Sequence, residues 1–227
     1  MENELLVITG ATCIAGHMDQ YVRNLSSAGI PVQIENVAGA PWLNRGGFFY
    51  ERLSLHYTWA MKFRHCRRLV ITDAFDFFFF GDRYALIEKI PLDHVLHAAE
   101  KNCYPDPAIA ARIPDRGPWR FFNGGGLAGS PEAIMEMCQS LSSHPLASSP
   151  ILDQHVMNTL LAENDERIHI DWKTNLFFCL FGGYDELEFV CGKPHNKLHD
   201  TFPIFVHANG KWPSEQMVEM YRESLNG

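Results

Sequence analysis

The stretch RRLVITDAFDFFFF, residues 67–80, decides the fold. Leu69 to Thr72 form a short apolar run between two arginines and an acid. Strands buried on both faces of a parallel sheet read as such continuous runs rather than as alternations. The opening LLVITGAT, residues 5–12, repeats the pattern and ends in Gly10 and Thr12. Two strands of this kind, separated by residues with helical spacing, predict a parallel α/β sheet.

The rest of the chain agrees. Residues 17–28 read as a helix stopped by Gly29, IPVQIENV (30–37) as a second strand, and Phe49 to Arg64 as an amphipathic helix. DHVLHAA (93–99) and RIHIDW (167–172) read as strands, and FPIFVHANG (202–210) as a strand running into a loop. Helices are expected over Pro131 to Leu141, with Pro near the first turn, over residues 152–164, and over Ser214 to Ser224. The four phenylalanines at 77–80 are expected in the core where sheet passes into loop. The Pro-rich segment Tyr104 to Pro118 is the candidate lid. With no composition break or repeat, residues 1–227 are expected to form a single domain: a mostly parallel central sheet flanked by helices.

A formal net charge of −8 argues against a surface built wholly for nucleic acid. One basic cluster, Lys62, Arg64, Arg67 and Arg68, interrupts that balance; its plain reading is a solvated helix end. The six cysteines lack CxxC spacing and read as buried free thiols of a reducing compartment. No apolar run approaches the roughly 20 residues that span a bilayer, and the start has no basic leader. The expectation is a cytoplasmic protein with no membrane partner.

Ligands of open α/β sheets bind outside the carboxyl ends of the strands. Asp73 and Asp76 follow the strand at 69–72. Residues three apart on one strand face opposite ways, so the two carboxylates converge only if the chain turns after Asp73. Together they would suit a divalent ion carrying substrate phosphates; alone, a DxxD pair is two solvated loop acids. His207, after the run 202–206, would add an imidazole ligand, better matched to Mn²⁺ than to Mg²⁺. By itself it reads as an ordinary core or surface histidine. Asn209 and Gly210 permit a tight turn whose N–H groups face a phosphate, and Lys211 adds a charge. In FFNGGGLAGS (121–130), Gly124 and Gly125 allow close approach of a ligand; a loop or bulge is the structural alternative. Asp153, near a helix start, is either an N-cap or a carboxylate facing a sugar.

Taken in order, LLVITGAT, VITDAFD (70–76), HAAEKNCYP (97–105), FFNGGGLAG (121–129), LDQ (152–154), IDWKTNLFFCL (170–180) and FPIFVHANGK (202–211) resemble the glycosyltransferase domain of the procollagen lysyl hydroxylase and glycosyltransferase family. The resemblance implies the GT-A fold and a UDP-sugar donor, UDP-glucose or UDP-galactose, with Mn²⁺ or alternatively Mg²⁺. It places the metal on Asp73, Asp76 and His207. It sets Thr12 in the uridine pocket, Asn123 with its glycines near the donor sugar, and Asp153 and Gln154 in sugar handling. Asp171 and Lys173 match a segment of mainly structural role. The family's CWP is here Cys103-Tyr104-Pro105, a longer acidic run is shortened to Asp153, and a Gly-Gly-then-Lys segment appears at Gly46-Gly47 without its lysine. The implied activity is hexose transfer to a hydroxyl acceptor, with Asp153 as base or sugar-orienting group. The acceptor is a cytoplasmic protein, a glycan or small molecule, or a hydroxylated DNA base of the phage-modification type. A silent nucleotide-sugar-binding module and a metal-dependent phosphohydrolase or nucleotidyltransferase are the alternatives.

Overall fold

The computed structural model of the protein describes residues 3–11, 17–38, 49–73, 75–148 and 152–209. The candidate residues Thr12, Gly210 and Lys211, the Gly46-Gly47 segment and the helix expected at 214–224 lie outside them. In chain order the elements are β1 (Leu5–Ala11), α1 (His17–Ser27), β2 (Val32–Asn36), α2 (Phe49–Lys62), β3 (Arg68–Asp73), β4 (Phe77–Phe79), α3 (Arg83–Lys89), β5 (Leu96–Glu100), β6 (Phe121–Gly129), α4 (Pro131–Ser142), α5 (Asp153–Ala162), β7 (His169–Ile170), β8 (Phe177–Cys179), β9 (Leu187–Val190), β10 (Lys193–Asn196) and β11 (Phe205–His207).

The central sheet has the order β2-β1-β3-β6-β5-β7. The expected parallel pairing holds for β1 with β2 and β3, and for β5 with β7. β6 runs antiparallel to both neighbours, so the sheet is mixed. Sequence reading left β6 as a loop or bulge because three glycines weaken a strand. Both descriptions apply to parts of it. Leu127 to Gly129 pair regularly with β3. On the other side, the two-residue step from His97 to Ala99 in β5 faces the five-residue step from Phe122 to Leu127. Asn123, Gly124 and Gly125 are carried in that bulge.

Alternation along the strands sorts the core into two layers. Leu6, Ile8, Leu69 and Ile71 face α2, α4 and α5, packing with Phe49, Leu53, Trp59, Ile134, Leu141, Val156 and Leu160. Leu5, Val7 and Val70 face the other way, onto Tyr21 and Leu25 of α1 and a second, three-stranded sheet, β4-β11-β8. The phenylalanines expected in the core supply much of this second sheet: Phe77 and Phe79 join Phe177 and Phe205 against the central sheet. Local signals fix the helix starts. Ser130 Oγ accepts the Ala133 N–H at 3.1 Å ahead of Pro131 in α4, and Asp82 caps α3 through the N–H groups of Tyr84 and Ala85.

Two expectations change here. The candidate lid is anchored: it contains a 3₁₀ turn at Pro107–Arg112, buries Ile109 and Ile113, and is tied to α5 by the Asn158 amide donating to Tyr104 O at 3.1 Å. Of the described cysteines, 66, 103, 138 and 179 are buried and free as expected, whereas Cys191 is exposed. No helix among the described residues is long and apolar enough to cross a membrane.

Phe205 has no exposed surface and its ring meets Phe77, Phe79, Phe177 and Tyr21. Removing a buried phenylalanine typically costs about 3–5 kcal/mol. Phe205→Ala should therefore lower the free energy of unfolding by that order, read as a lower midpoint with the slope unchanged in urea titrations followed by circular dichroism.

Candidate active site

The turn required after Asp73 is a change of sheet. β3 ends at Asp73 in the central sheet, and β4 starts at Phe77 in the three-stranded one. β4 pairs with β11 so that Phe77 faces His207, and Asp76 O accepts the Ala208 N–H at 2.8 Å. Asp76 therefore lies beside His207, with Oδ2 3.1 Å from Nε2. Potential ligand atoms of Asp73, Asp76 and His207 all lie within 4.8 Å of one another. The three residues predicted as metal ligands meet at one point.

His207 is held from several sides. Its carbonyl accepts the Leu180 N–H at 2.9 Å beyond β8, and Phe77 stacks on its ring at 4.3 Å. Burial lowers the basicity of its imidazole, but the charge and hydrogen bond of Asp76, together with the charges of Asp73 and Glu100, hold it above its ordinary value. Asp76 shows the reverse balance: burial raises its carboxyl, and His207 brings it below the usual carboxylate range.

The glycines of β6 make room for the protein's own side chains. A β-carbon on Gly125 would overlap the His207 ring, and one on Gly126 would stand 3.0 Å from Phe177 and 3.1 Å from Phe77. A β-carbon on Gly124 would stand 2.5 Å from Asp153 Oδ2 and 2.6 Å from Arg52 Nη1. The close approach expected of this segment is thus an approach of five other elements, β4, β8, β11, α2 and α5.

Asp153 is the first residue of α5, and the cap position belongs to Leu152, which makes no side-chain cap. Asp153 Oδ1 nevertheless accepts the Gln154 N–H of the first turn at 2.8 Å, so one oxygen serves the helix start as the capping alternative expects. Asp153 is buried, its Oδ2 3.1 Å from Arg52 Nη1 of α2. That contact is an ion pair off the N–H direction; Oδ2 accepts no hydrogen bond from a described residue. The same guanidinium reaches Asp73 Oδ1 at 3.5 Å and donates to Gly124 O. Arg52 thus links a candidate metal ligand to the candidate catalytic carboxylate.

Asn123, Gln154 and Asn209, assigned from sequence to the donor, converge on one buried carboxylate, Glu100 at the end of β5. It accepts from Asn123 Nδ2 at 3.1 Å, Asn209 Nδ2 at 2.7 Å and Gln154 Nε2 at 2.6 Å. Burial pushes the Glu100 carboxyl up to about 7 although these bonds pull it down. Sequence reading missed both Glu100 and Arg52. Each left a trace: Glu100 closes an apolar strand, and Arg52 sits on the helical stripe Phe49, Leu53, His56, Trp59 that faces the core. Asp171 takes the structural role expected, accepting backbone N–H groups of Asn175, Leu176 and Phe177 at 2.9, 2.6 and 2.9 Å.

The basic cluster is mostly spent. Lys62 pairs with Glu35 at 2.6 Å, while Arg67 and Arg68 pair with Glu4. Arg68 and Asp73 stand at opposite ends of β3, about 17 Å apart along the strand.

The fold is the GT-A fold seen in glycosyltransferases. A glycosyltransferase involved in glycosylation of the major capsid of PBCV-1 superposes with a TM-score of 0.54 at 12% identity, covering 96% of this chain and 99% of its own. Galactosyltransferase LgtC, in complex with donor and acceptor sugar analogs, gives 0.53 at 12% identity over 96% of this chain and 95% of its own. The profile of the PLOD GT domain matches residues 1–221, and the chain belongs to that family. Over 149 residues, 63% of this chain, it is 26% identical to the multifunctional procollagen lysine hydroxylase and glycosyltransferase LH3 of Rattus norvegicus. It is 24% identical over the same length to procollagen-lysine,2-oxoglutarate 5-dioxygenase 1 of Gallus gallus. The match spans 20% of the length of these curated relatives.

The space at Gly125 gives a direct test. Gly125→Ala should displace the His207 ring while leaving the ladder at 127–129 paired. Mn²⁺ affinity, measured calorimetrically, should fall by at least about 10-fold, the low end for lost support around a metal ligand. Thermal denaturation should show a folded protein.

Proposed function

We propose that the chain transfers a hexose from UDP-glucose or UDP-galactose to a hydroxyl acceptor, with a divalent cation, Mn²⁺ before Mg²⁺, held by Asp73, Asp76 and His207. The observation that carries this reading is the meeting of two carboxylates and one imidazole, Asp73 and His207 closing strands of different sheets and Asp76 lying just ahead of β4. The donor set fits such an ion: oxygen ligands with one nitrogen suit Mn²⁺. The 3.1 Å between Asp76 Oδ2 and His207 Nε2 matches the spacing of about 3 Å between neighbouring ligands bound at about 2.1 Å. When bound, the cation supplies charge neutralisation at the departing diphosphate.

The chain's own residues divide the remaining work. Asp153 Oδ2, buried and without a hydrogen-bond donor, is aimed at Gly124 and is placed to accept from a sugar or acceptor hydroxyl. Depending on stereochemistry it takes the acceptor proton or orients the sugar. Arg52 keeps Asp153 paired and stands beside Asp73, a fixed positive charge at the donor end. Asn123 and Asn209 serve the donor by position, since both ends of each amide already have partners within the protein. Gln154 commits its NH₂ to Glu100 and Phe122 O, which leaves its carbonyl for a sugar hydroxyl. Gly124 and Gly125 bring β6 against these groups. Thr12 for uridine, and Gly210 with Lys211 for the diphosphate, rest on the resemblance. For the acceptor, a protein, glycan or small molecule is favoured over DNA, because three of the four cations of the basic cluster are paired and the cluster lies at the far end of β3.

Asp76→Ala and His207→Ala should weaken UDP binding in Mn²⁺ together with turnover. Asp153→Asn should lower transfer by at least about 10²-fold with Mn²⁺-dependent UDP affinity near wild type. Calorimetry with UDP beside an assay of UDP release reads both. Full activity after exhaustive chelation would remove the cation from the mechanism, and release of inorganic phosphate from the donor would point to a hydrolase.

Charge reversal at Arg64 and Arg67 together should leave transfer unchanged. A nucleic-acid acceptor held there would instead show a steep salt dependence that this double variant flattens.

A further inference from the structure

A second cleft opens at the β7 edge of the central sheet, lined by none of the candidate site residues. Its walls are two chain segments, 113–120 ahead of β6 and 164–170 leading from α5 into β7, and its volume is about 450 Å³. Small-molecule sites are clefts of about 300–1,000 Å³ with an apolar lining and a few fixed polar groups. Here Ile113, Leu161, Ile168 and Ile170, all buried, supply the apolar lining. α5 starts at Asp153, and Leu161 lies eight residues further on, about 12 Å along the helix. The cleft is therefore separate from the candidate active site.

Both walls are held by their own chain. Asp115 Oδ1 accepts the Gly117 N–H at 3.1 Å, where Gly117 takes φ 108, a conformation that favours glycine. On the facing wall Asn164, just past α5, takes φ 57, and the next N–H, of Asp165, donates to Leu160 O at 3.0 Å. Asp165 commits both carboxylate oxygens to the Arg167 guanidinium.

The remaining polar groups are unevenly placed. The wall 113–120 offers two guanidinium groups. Arg116 is exposed and has no anionic partner among the described residues. Arg120 rests on the Phe121 ring and pairs through Nη1 with the exposed Asp115 at 2.9 Å, which leaves its Nε and Nη2 hydrogens without an acceptor among the described residues. The wall 164–170 offers the Glu166 carboxylate, likewise unpaired, and the Asn164 amide. His169 lines the cleft with its ring 4.3 Å from that of His94. Burial, His94 and the Arg116 charge lower its basicity against the pull of Asp93, so near neutral pH the ring is uncharged and can donate or accept.

Guanidinium forks match a carboxylate or phosphate. A carboxylate and an amide on the facing wall suit hydroxyl groups. We propose that the cleft is a second ligand site, binding a hexose-sized anion, a sugar acid or sugar phosphate, with its charge on Arg116 and Arg120 and its hydroxyls toward Glu166 and Asn164. Such binding needs no cation and is independent of hexose transfer.

Calorimetric titration of the whole, metal-free chain tests this, with glucuronate and glucose 6-phosphate as probes and glucose and inorganic phosphate as controls. At least one sugar anion should bind one to one in the millimolar range or tighter, and both controls more weakly. Whichever of the two binds tighter tells whether carboxylate or phosphate is preferred. Arg116→Gln combined with Arg120→Gln should weaken that binding by at least about 10-fold, the low end for a lost hydrogen bond to a charged group. Should the double variant fail to fold, Arg116→Gln alone, at an exposed side chain, should move affinity the same way. Asp76→Ala, at the proposed cation site, should bind the sugar anion as wild type does. The proposal is overturned if neither sugar anion binds, or if affinity survives in the folded arginine variants. Glucose binding as tightly would show that the charge is not recognised, and inorganic phosphate binding as tightly that the hydroxyls are not; either overturns it. Loss of binding in Asp76→Ala also overturns it, since the anion would then sit in the candidate active site.

Discussion

His207 packs so tightly on the backbone of β6 that position 125 has no room for a side chain. This contact joins the two sheets at the site, and much else depends on it. The three-stranded sheet comes that close because Gly126 also admits Phe177 and Phe77. On the other side of β6, Gly124 admits Arg52 and Asp153 from two helices. Three consecutive glycines thus let five neighbouring elements reach one short piece of backbone. A strand with side chains would hold them apart, and the candidate ligands would not meet.

The site concentrates buried charge, which is costly unless it is paired. Arg52 answers Asp153 and Asp73, His207 answers Asp76, and Glu100 is met by three amides. Glu100 still pays for its position, since burial pushes its carboxyl up to about 7. A hydrophobic residue there would avoid the desolvation penalty but would leave the amides of Asn123 and Asn209 without that acceptor. Such networks are useful when every member is satisfied, and they then fix side-chain orientation more firmly than apolar packing does. The surface ion pairs on the basic cluster are of another kind. They are exposed or at the rim, add little stability, and their main effect is to neutralise a patch that the sequence alone offers as a nucleic-acid contact.

Much of the fold was legible locally. The apolar runs at 5–9 and 69–72 announce buried strands, and Ser130 with Pro131 announces a helix start. These signals lie within a few residues of the group they describe. β6 was not legible, because glycine reports freedom and says nothing of what occupies the space it leaves. The direction of β6 was hidden for the same reason: local pattern does not distinguish a strand running with its neighbours from one running against them. The anchors of the segment 104–118, Ile109, Ile113 and the Tyr104 carbonyl, were not legible because they bind elements distant in sequence.

Sequence by itself determined the class of fold, the family and the identity of the three candidate ligands, since residue type and order carry all three. Tertiary structure decided how Asp73 and Asp76 come together. Strand geometry sends residues three apart to opposite faces, and only the passage from one sheet to another between them brings both to His207. It decided equally that Glu100 and Arg52 belong to the site. Their partners lie 23 to 109 and 21 to 101 positions away in sequence. A hydrogen bond or ion pair over such separations exists only once the chain has closed around it.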